Sequence, residues 1–263
     1  MTERYDSATA QHYASYRPPL HRLILERVIR SSEIFQSGLD VGCGTGYSAV
    51  ALAAYCDRVC GIDVSRQMLE LAEPHPKIVY TFGAIGASVN LPGRPYDIVP
   101  FAGSLFYTVS GDLRRTLVSD CRPTATVIVY DFNVLVDELM KYAGAATLPQ
   151  TSEYNHDIGL PYWGEFEVVA IDSDRIRMEL SFIEAAHMLL SDSFRYDVLQ
   201  QVMGCQDVFE KLVSRLKDKK GAIYIEADIW SKRYRLTREG SNTQNKTVEA
   251  MPKRYSTPLR STF

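Results

Sequence analysis

Leu39-Asp40-Val41-Gly42-Cys43-Gly44-Thr45-Gly46 is the stretch whose reading decides the fold. It reads as the end of a buried strand, a glycine-rich turn and the start of a helix. Glycines at 42, 44 and 46 let the backbone turn sharply and approach a ligand closely, because no Cβ stands in the way. The segment that follows, roughly Tyr47 to Ala54, is read as a helix aiming its free N–H groups at whatever lies over the turn. Strand, glycine turn and helix in this order point to a doubly wound sheet and a nucleotide-type ligand. The spacing is G-x-G-x-G, not the G-x-G-x-x-G of a dinucleotide fingerprint, and an acid, Asp40, precedes the first glycine.

Outward from this turn, Arg58-Val59-Cys60-Gly61-Ile62-Asp63 is a short apolar strand ending in a carboxylate, which suits the two hydroxyls of a ribose. Ser65 is placed to cap a helix whose buried side is read as Met68, Leu69, Leu71 and Ala72.

Three blocks in order, Asp40 to Gly46, Gly61-Ile62-Asp63-Val64-Ser65 and Met68-Leu69-Glu70-Leu71-Ala72, resemble the class I S-adenosylmethionine-dependent methyltransferases. The likeness is closest to the small-molecule branch that includes the trans-aconitate type. The resemblance implies an α/β fold: a Rossmann-like, doubly wound, mostly parallel seven-stranded sheet with helices on both faces and an antiparallel last strand. It implies S-adenosylmethionine as the cofactor. The cofactor contacts it implies are Asp40, Gly42, Cys43, Gly44, Gly46, Asp63, Val64, Met68 and Ser104.

Tyr13 and Tyr16-Arg17-Pro18 resemble the lid that closes over the cofactor in related enzymes. Arg17 is then expected at the methionine carboxylate. Relatives follow the third strand, here Ile78 to Phe82, with an acid that touches the adenine amine. This chain has Gly83-Ala84-Ile85-Gly86-Ala87 instead, so the adenine is left to backbone groups at Ala84 and to the Ile62 and Ile85 side chains.

The remaining elements follow the same frame. Leu20 to Ile29 is amphipathic. Tyr96 to Val99 leads a fourth strand ending near Ser104, and Leu105-Phe106-Tyr107 resembles a segment lining the acceptor pocket. Nucleobase and protein-amide nitrogen methyltransferases often carry an Asn-Pro-Pro-Tyr-like motif where this chain has Pro100-Phe101-Ala102-Gly103, so that chemistry is disfavoured. Asp112 to Ser119 is read as a helix and Thr126 to Tyr130 as the fifth strand. Asp131 then either looks into the acceptor site or caps a helix over Val134 to Tyr142. Residues 143–163 form an aromatic loop holding Tyr154, His156, Tyr162 and Trp163. Phe166 to Ile171 and Ile176 to Phe182 read as strands around a turn at Asp172-Ser173-Asp174. Helices are expected over Glu184–Leu190, Tyr196–Met203 and Val208–Leu216, and a final strand over Ala222–Trp230.

The sequence has 263 residues and a net charge of −3, which offers no nucleic-acid signature for the whole chain. It is read as a single domain over 1–238, with 1–30 as lid and first helix and 143–163 as the acceptor-side loop. Residues 239–263 form a basic tail read as disordered. Five cysteines without metal spacing, and no signal peptide, suggest a reduced, cytoplasmic protein. No apolar run spans a membrane and no metal is expected. A monomer or a homodimer is compatible with these features.

The implied reaction is in-line transfer of a methyl group to a small-molecule oxygen, nitrogen, carbon or carboxylate nucleophile. It runs mainly through proximity and desolvation. His12, His156 and His187 are candidate bases, the first two favoured as catalytic. Tyr16, Phe106, Tyr107, Asp131, Tyr154 and Trp163 are expected to bind the acceptor. Two alternatives remain: an RNA acceptor such as tRNA, held by the basic tail, or an inactive methyltransferase fold acting as a binding subunit.

Overall fold

A computed structural model describes residues 7–87, 89–109, 111–145, 154–219 and 221–237. The 239–263 tail, residues 1–6 of the expected lid, and residues 146–153 of the acceptor-side loop lie outside the described residues.

Seven segments rich in β-branched and aromatic residues form one sheet. They are β1 (Phe35–Val41), β2 (Cys56–Asp63), β3 (Ile78–Phe82), β4 (Tyr96–Ala102), β5 (Cys121–Leu135), β6 (Phe166–Leu180) and β7 (Ile223–Leu236). The order is β3-β2-β1-β4-β5-β7-β6. β1 to β5 run parallel, and β7 is inserted antiparallel between β5 and β6. The chain leaves β1 toward β2 on one side, and β4 lies on the other. A crevice therefore opens at the carboxyl ends of these two strands, where such sheets bind ligands. The expected topology, with its antiparallel last strand, is the one found.

Helices cover both faces, unevenly. One face carries α2 (Leu20–Val28), α3 (Tyr47–Ala53), α7 (Asp137–Tyr142), α8 (Phe182–Leu190), α9 (Ser193–Met203) and α10 (Val208–Lys217). Leu23, Ile24 and Leu25 of α2, with Leu52, Leu189 and Leu212, share a core with Ile98, Ile128 and Tyr130 of the sheet. The other face carries α5 (Leu105–Thr108) and α6 (Gly111–Asp120), with Leu113 and Leu117 packed on Phe101, Val127 and Val129. Each central strand thus supplies alternate residues to both cores, as a sheet covered on two sides must. α1 (Ser7–Ser15) lies against α8, and α4 (Arg66–Glu70) follows β2.

Three expectations are corrected. Asp172-Ser173-Asp174 is no turn: β6 is one strand, and these residues pair with Ser231, Trp230 and Ile229 of β7. Polar side chains are tolerated there because β6 is an edge strand. Asp131 caps no helix, because β5 continues to Leu135, held by antiparallel pairing that runs from Thr126↔Arg235 to Leu135↔Glu226. α4 is capped by Ser65 as expected, its side chain accepting from Met68 N–H, but none of its residues is buried. Leu71 lies beyond the helix and is exposed. With only five residues, α4 lies at the crevice mouth and does not present a full buried stripe.

Candidate functional site

One half of the site is built chiefly from main chain. Gly42, Gly44 and Gly46 all adopt positive φ, at 72°, 53° and 88°. At two of them the space itself demands glycine. A Cβ on Gly42 would stand 2.5 Å from Ser104 Cβ, and one on Gly46 would stand 2.2 Å from the Tyr80 hydroxyl. Gly44 differs, because a Cβ there meets nothing within 4 Å. That residue borders the open crevice. Its N–H donates to Asp63 Oδ2 at 2.8 Å, and Ser65 N–H donates to Asp63 Oδ1 at 2.8 Å. Asp63 therefore splints the glycine turn to the head of α4. Each of its oxygens keeps lone-pair capacity for a further donor.

Asp40 takes a different place. It is fully buried beneath the turn, and its Oδ2 accepts from Ser48 Oγ at 2.6 Å. Its Oδ1 has no hydrogen-bond partner among the described residues. Burial pushes this carboxyl up to about 7; the Ser48 bond opposes that shift and the Asp63 charge adds to it.

Two spaces border the turn, and Gly42 and Ala102 line both. One cleft of about 500 Å³ runs past Ile62, Asp63, Val64, Ala84 and Ile85 to Gly103 and Tyr107. The other lies beneath Tyr13 and Arg17 and reaches Gly44, Met68, Asp131 and Phe132. The Arg17 guanidinium stacks 3.8 Å over the Tyr13 ring, and Tyr13 meets Tyr47 edge-on.

The other half of the site is built from side chains. β5 and β7 place Asp131 opposite Trp230. Directly paired residues share one face, so both project to the same side. His156 fills the space between them. Its Nδ1 lies 3.0 Å from Asp131 Oδ2, and its ring stacks on Trp230 at 5.2 Å between centroids. Tyr154 packs edge-on to His156 and donates its hydroxyl to the Gly103 carbonyl at 2.9 Å. Phe106 and Tyr107 continue the aromatic row beside Tyr154.

Residues 39–124 match the family profile described as a methyltransferase domain. The chain is similar to an uncharacterized methyltransferase of Schizosaccharomyces pombe, 32% identical over 45% of this chain and 46% of that one. It is also similar to a candidate methyltransferase of Dictyostelium discoideum, 26% identical over 58% of this chain and 56% of that one. The chain thus spans about half the length of the curated relatives it matches. A solved structure of a candidate type II methyltransferase from Anaeromyxobacter dehalogenans shares the fold. It has a TM-score of 0.56 and 16% identity, covering 85% of this chain and 98% of that one.

A methyltransferase domain implies S-adenosylmethionine, and the residues present fit it. Gly44 leaves open space against a turn that a Cβ elsewhere would block. Asp63 offers carboxylate oxygens at the crevice. Asp40 leaves a buried, uncompensated acceptor beneath it, which favours a cationic ligand. Val64, Ala84 and Ile85 line the apolar end.

Not every expected residue joins the site. Asp40 is buried and acts beneath the turn; Cys43 borders the second space, but its thiol points into the fold, where it would meet a Cβ placed on Gly61 at 2.9 Å. Ser104 does line the cleft, with its hydroxyl turned to donate to the Val41 carbonyl. Tyr16 packs on the core of the α8 face, and burial raises its hydroxyl pKa. His12 lies 2.9 Å from His187, nitrogen to nitrogen, and stacks on Phe209 of α10. Trp163 packs on Phe166 at the second core.

Three residues not singled out from the sequence do stand at the site: Tyr47, His21 and Trp230. His21 Nδ1 lies 3.0 Å from the Tyr130 hydroxyl, and burial lowers its pKa to about 3, which keeps the ring neutral. Trp230 sits in an alternating strand, and only the register of β7 against β5 shows what it faces.

Proposed function

We propose that this chain transfers a methyl group from S-adenosylmethionine to a small-molecule acceptor held beside Gly103 and Asp131. The observation that carries the reading is the Asp63 splint at Gly44 and Ser65, set in an open crevice at the switch point of the sheet. The cleft of about 500 Å³ that Asp63, Ala84 and Ile85 line falls in the range of small-ligand pockets and suits the methyl donor itself.

When bound, S-adenosylmethionine supplies a methyl group already activated on a sulfonium. The chain contributes placement. Gly42 and Gly44 let the backbone come close, Asp63 presents acceptors to the ribose, and Ile62 and Ile85 flank the base. Arg17, on its Tyr13 platform, is placed to take the carboxylate. Excluding water and fixing approach geometry accounts for about 7–11 kcal/mol of such a barrier. His156 serves as the base where the acceptor must lose a proton, with Asp131 fixing its tautomer. A carboxylate only accepts, so Nδ1 carries the hydrogen and Nε2 keeps its lone pair.

Calorimetric titration with S-adenosylmethionine tests the reading. Wild type is expected to bind. Asp63→Ala frees two backbone N–H groups and removes the ribose acceptor, a loss of about 2 kcal/mol or more, which weakens binding at least about 30-fold. Gly44→Val fills the open space and abolishes binding. Absence of wild-type binding overturns the proposal.

A further inference from the structure

We infer that the acceptor is an aromatic hydroxyl compound: a phenol or catechol laid along the aromatic row that runs from Phe106 to Trp230. The inference rests on the methyl-transfer reading above and names the substrate class of that site.

Two features select this class. The first is the shape and chemistry of the wall. Phe106, Tyr107 and Tyr154 stand with ring centroids 5.3 to 6.1 Å apart, and His156 and Trp230 continue the row at 4.8 and 5.2 Å. These are the spacings at which rings pack offset or edge-on. Phe106 and Tyr107 remain exposed, so the row ends in open aromatic surface beside the cleft that Tyr107 itself lines. A flat ring is the ligand that continues such a row.

The second feature is the base at its inner end. An acceptor carboxylate needs no proton removed, so a positioned base at this end selects an acceptor that carries a proton. Asp131 is engaged: Oδ2 faces His156 and Oδ1 accepts from Phe132 N–H at 2.8 Å. An imidazole held by a carboxylate and stacked on an indole is instead a base with a fixed lone pair. That is what a phenol, with a pKa of about 10, lacks at neutral pH.

The step balances without a further reactant. His156 Nε2 takes the phenolic proton as the acceptor oxygen attacks the methyl carbon. The O–CH₃ bond forms and the CH₃–S bond breaks, its electron pair staying on sulfur. The products are an aryl methyl ether, S-adenosylhomocysteine and an imidazolium that returns its proton to solvent.

The full chain is assayed with S-adenosylmethionine carrying a labelled methyl group against catechol, 4-nitrophenol, benzylamine and benzoate, alongside the calorimetric titration. Label is expected in the ether of catechol and of nitrophenol, and not in the amine or the acid. His156→Asn is expected to lower kcat on catechol by about 10²–10⁴-fold. The loss should shrink to a few-fold on 4-nitrophenol at about pH 8, where that acceptor is already ionised and needs no base. A purely structural role for His156 would cost both phenols equally, and that result overturns the assignment of the base. Phe106→Ala is expected to raise KM for catechol while S-adenosylmethionine binding is unchanged. If the cofactor binds but label enters only benzylamine or benzoate, or none of the four, the aromatic-hydroxyl inference falls and the methyl-donor site stands. If the cofactor does not bind, both fall.

Discussion

Asp40 and Asp63 end adjacent strands and are put to opposite uses. Asp63 sits at the crevice mouth, held by two N–H donors. Asp40 is sealed beneath the turn with one oxygen unpaired and its pKa raised to about 7. A carboxyl whose folded pKa lies above its unfolded value stabilises the fold at low pH. The contribution is fully present below about pH 4 and is lost as pH rises through about 7. Asp40→Asn removes that dependence, so it is expected to raise stability at about pH 8 by about 1–3 kcal/mol, measured as the shift in thermal midpoint across pH. The same change removes the buried negative charge and is expected to weaken S-adenosylmethionine binding. Both acids are legible in the sequence from their places at strand ends beside the glycine turn. The acceptor residues are legible only in part. Tyr154 and His156 stand out as aromatic loop residues, but Trp230 joins them only through pairing with a strand far earlier in the chain, which no local pattern records.

At the scale of the element, the chain's short-range signals place most boundaries. Ser65 caps α4 as its place in the sequence indicates, whereas the reciprocal box of Ser181 and Glu184, worth about 1 kcal/mol, starts α8 two residues before the expected Glu184. The elements that local signals misplace are those whose length is set by a distant partner. β5 and β6 each run through polar residues because β7 supplies their ladder. α1 is the third case. Its tyrosine–arginine end reaches the donor site, while His12 turns away to meet His187, Tyr196 and Phe209. Burial lowers the pKa of both imidazoles; for His12 the His187 charge adds to this and Glu210 opposes it. For a base with a lowered folded pKa, the contribution is present above about 6.5 and is lost as pH falls toward the folded value. The docking of α1 is therefore expected to loosen below about pH 6.5, by under about 1 kcal/mol because both rings are partly solvated. Hydrogen-exchange protection of the α1 amides across that range checks this, and His187→Phe should flatten the dependence.

For the molecule as a whole, one sheet runs from β3 to β6 with a core on each face, and it leaves two edges. The β6 edge exposes Val168, Val169 and Ile171 at 39%, 36% and 47%. Unpaired ladder groups beside apolar side chains invite another chain. Ile171→Glu places an acid opposite Lys232 in the register and is expected to leave stability within about 0.5 kcal/mol. It should lower light scattering of the partly unfolded protein. The doubly wound plan itself is legible because its signals are local: a glycine turn, an acid-ended strand, alternating apolar runs. The uneven helix cover and the β6 edge depend on how remote segments stack, and are not. The division of labour at the site carries a consequence for mutational history. In the proposed site, what grips the donor is mostly peptide backbone, shaped by positive φ and one carboxylate. What faces the proposed acceptor is mostly side chain, on elements outside that turn. Substitutions can therefore remodel the acceptor wall one ring at a time without disturbing the donor grip, and the two halves are free to diversify at different speeds.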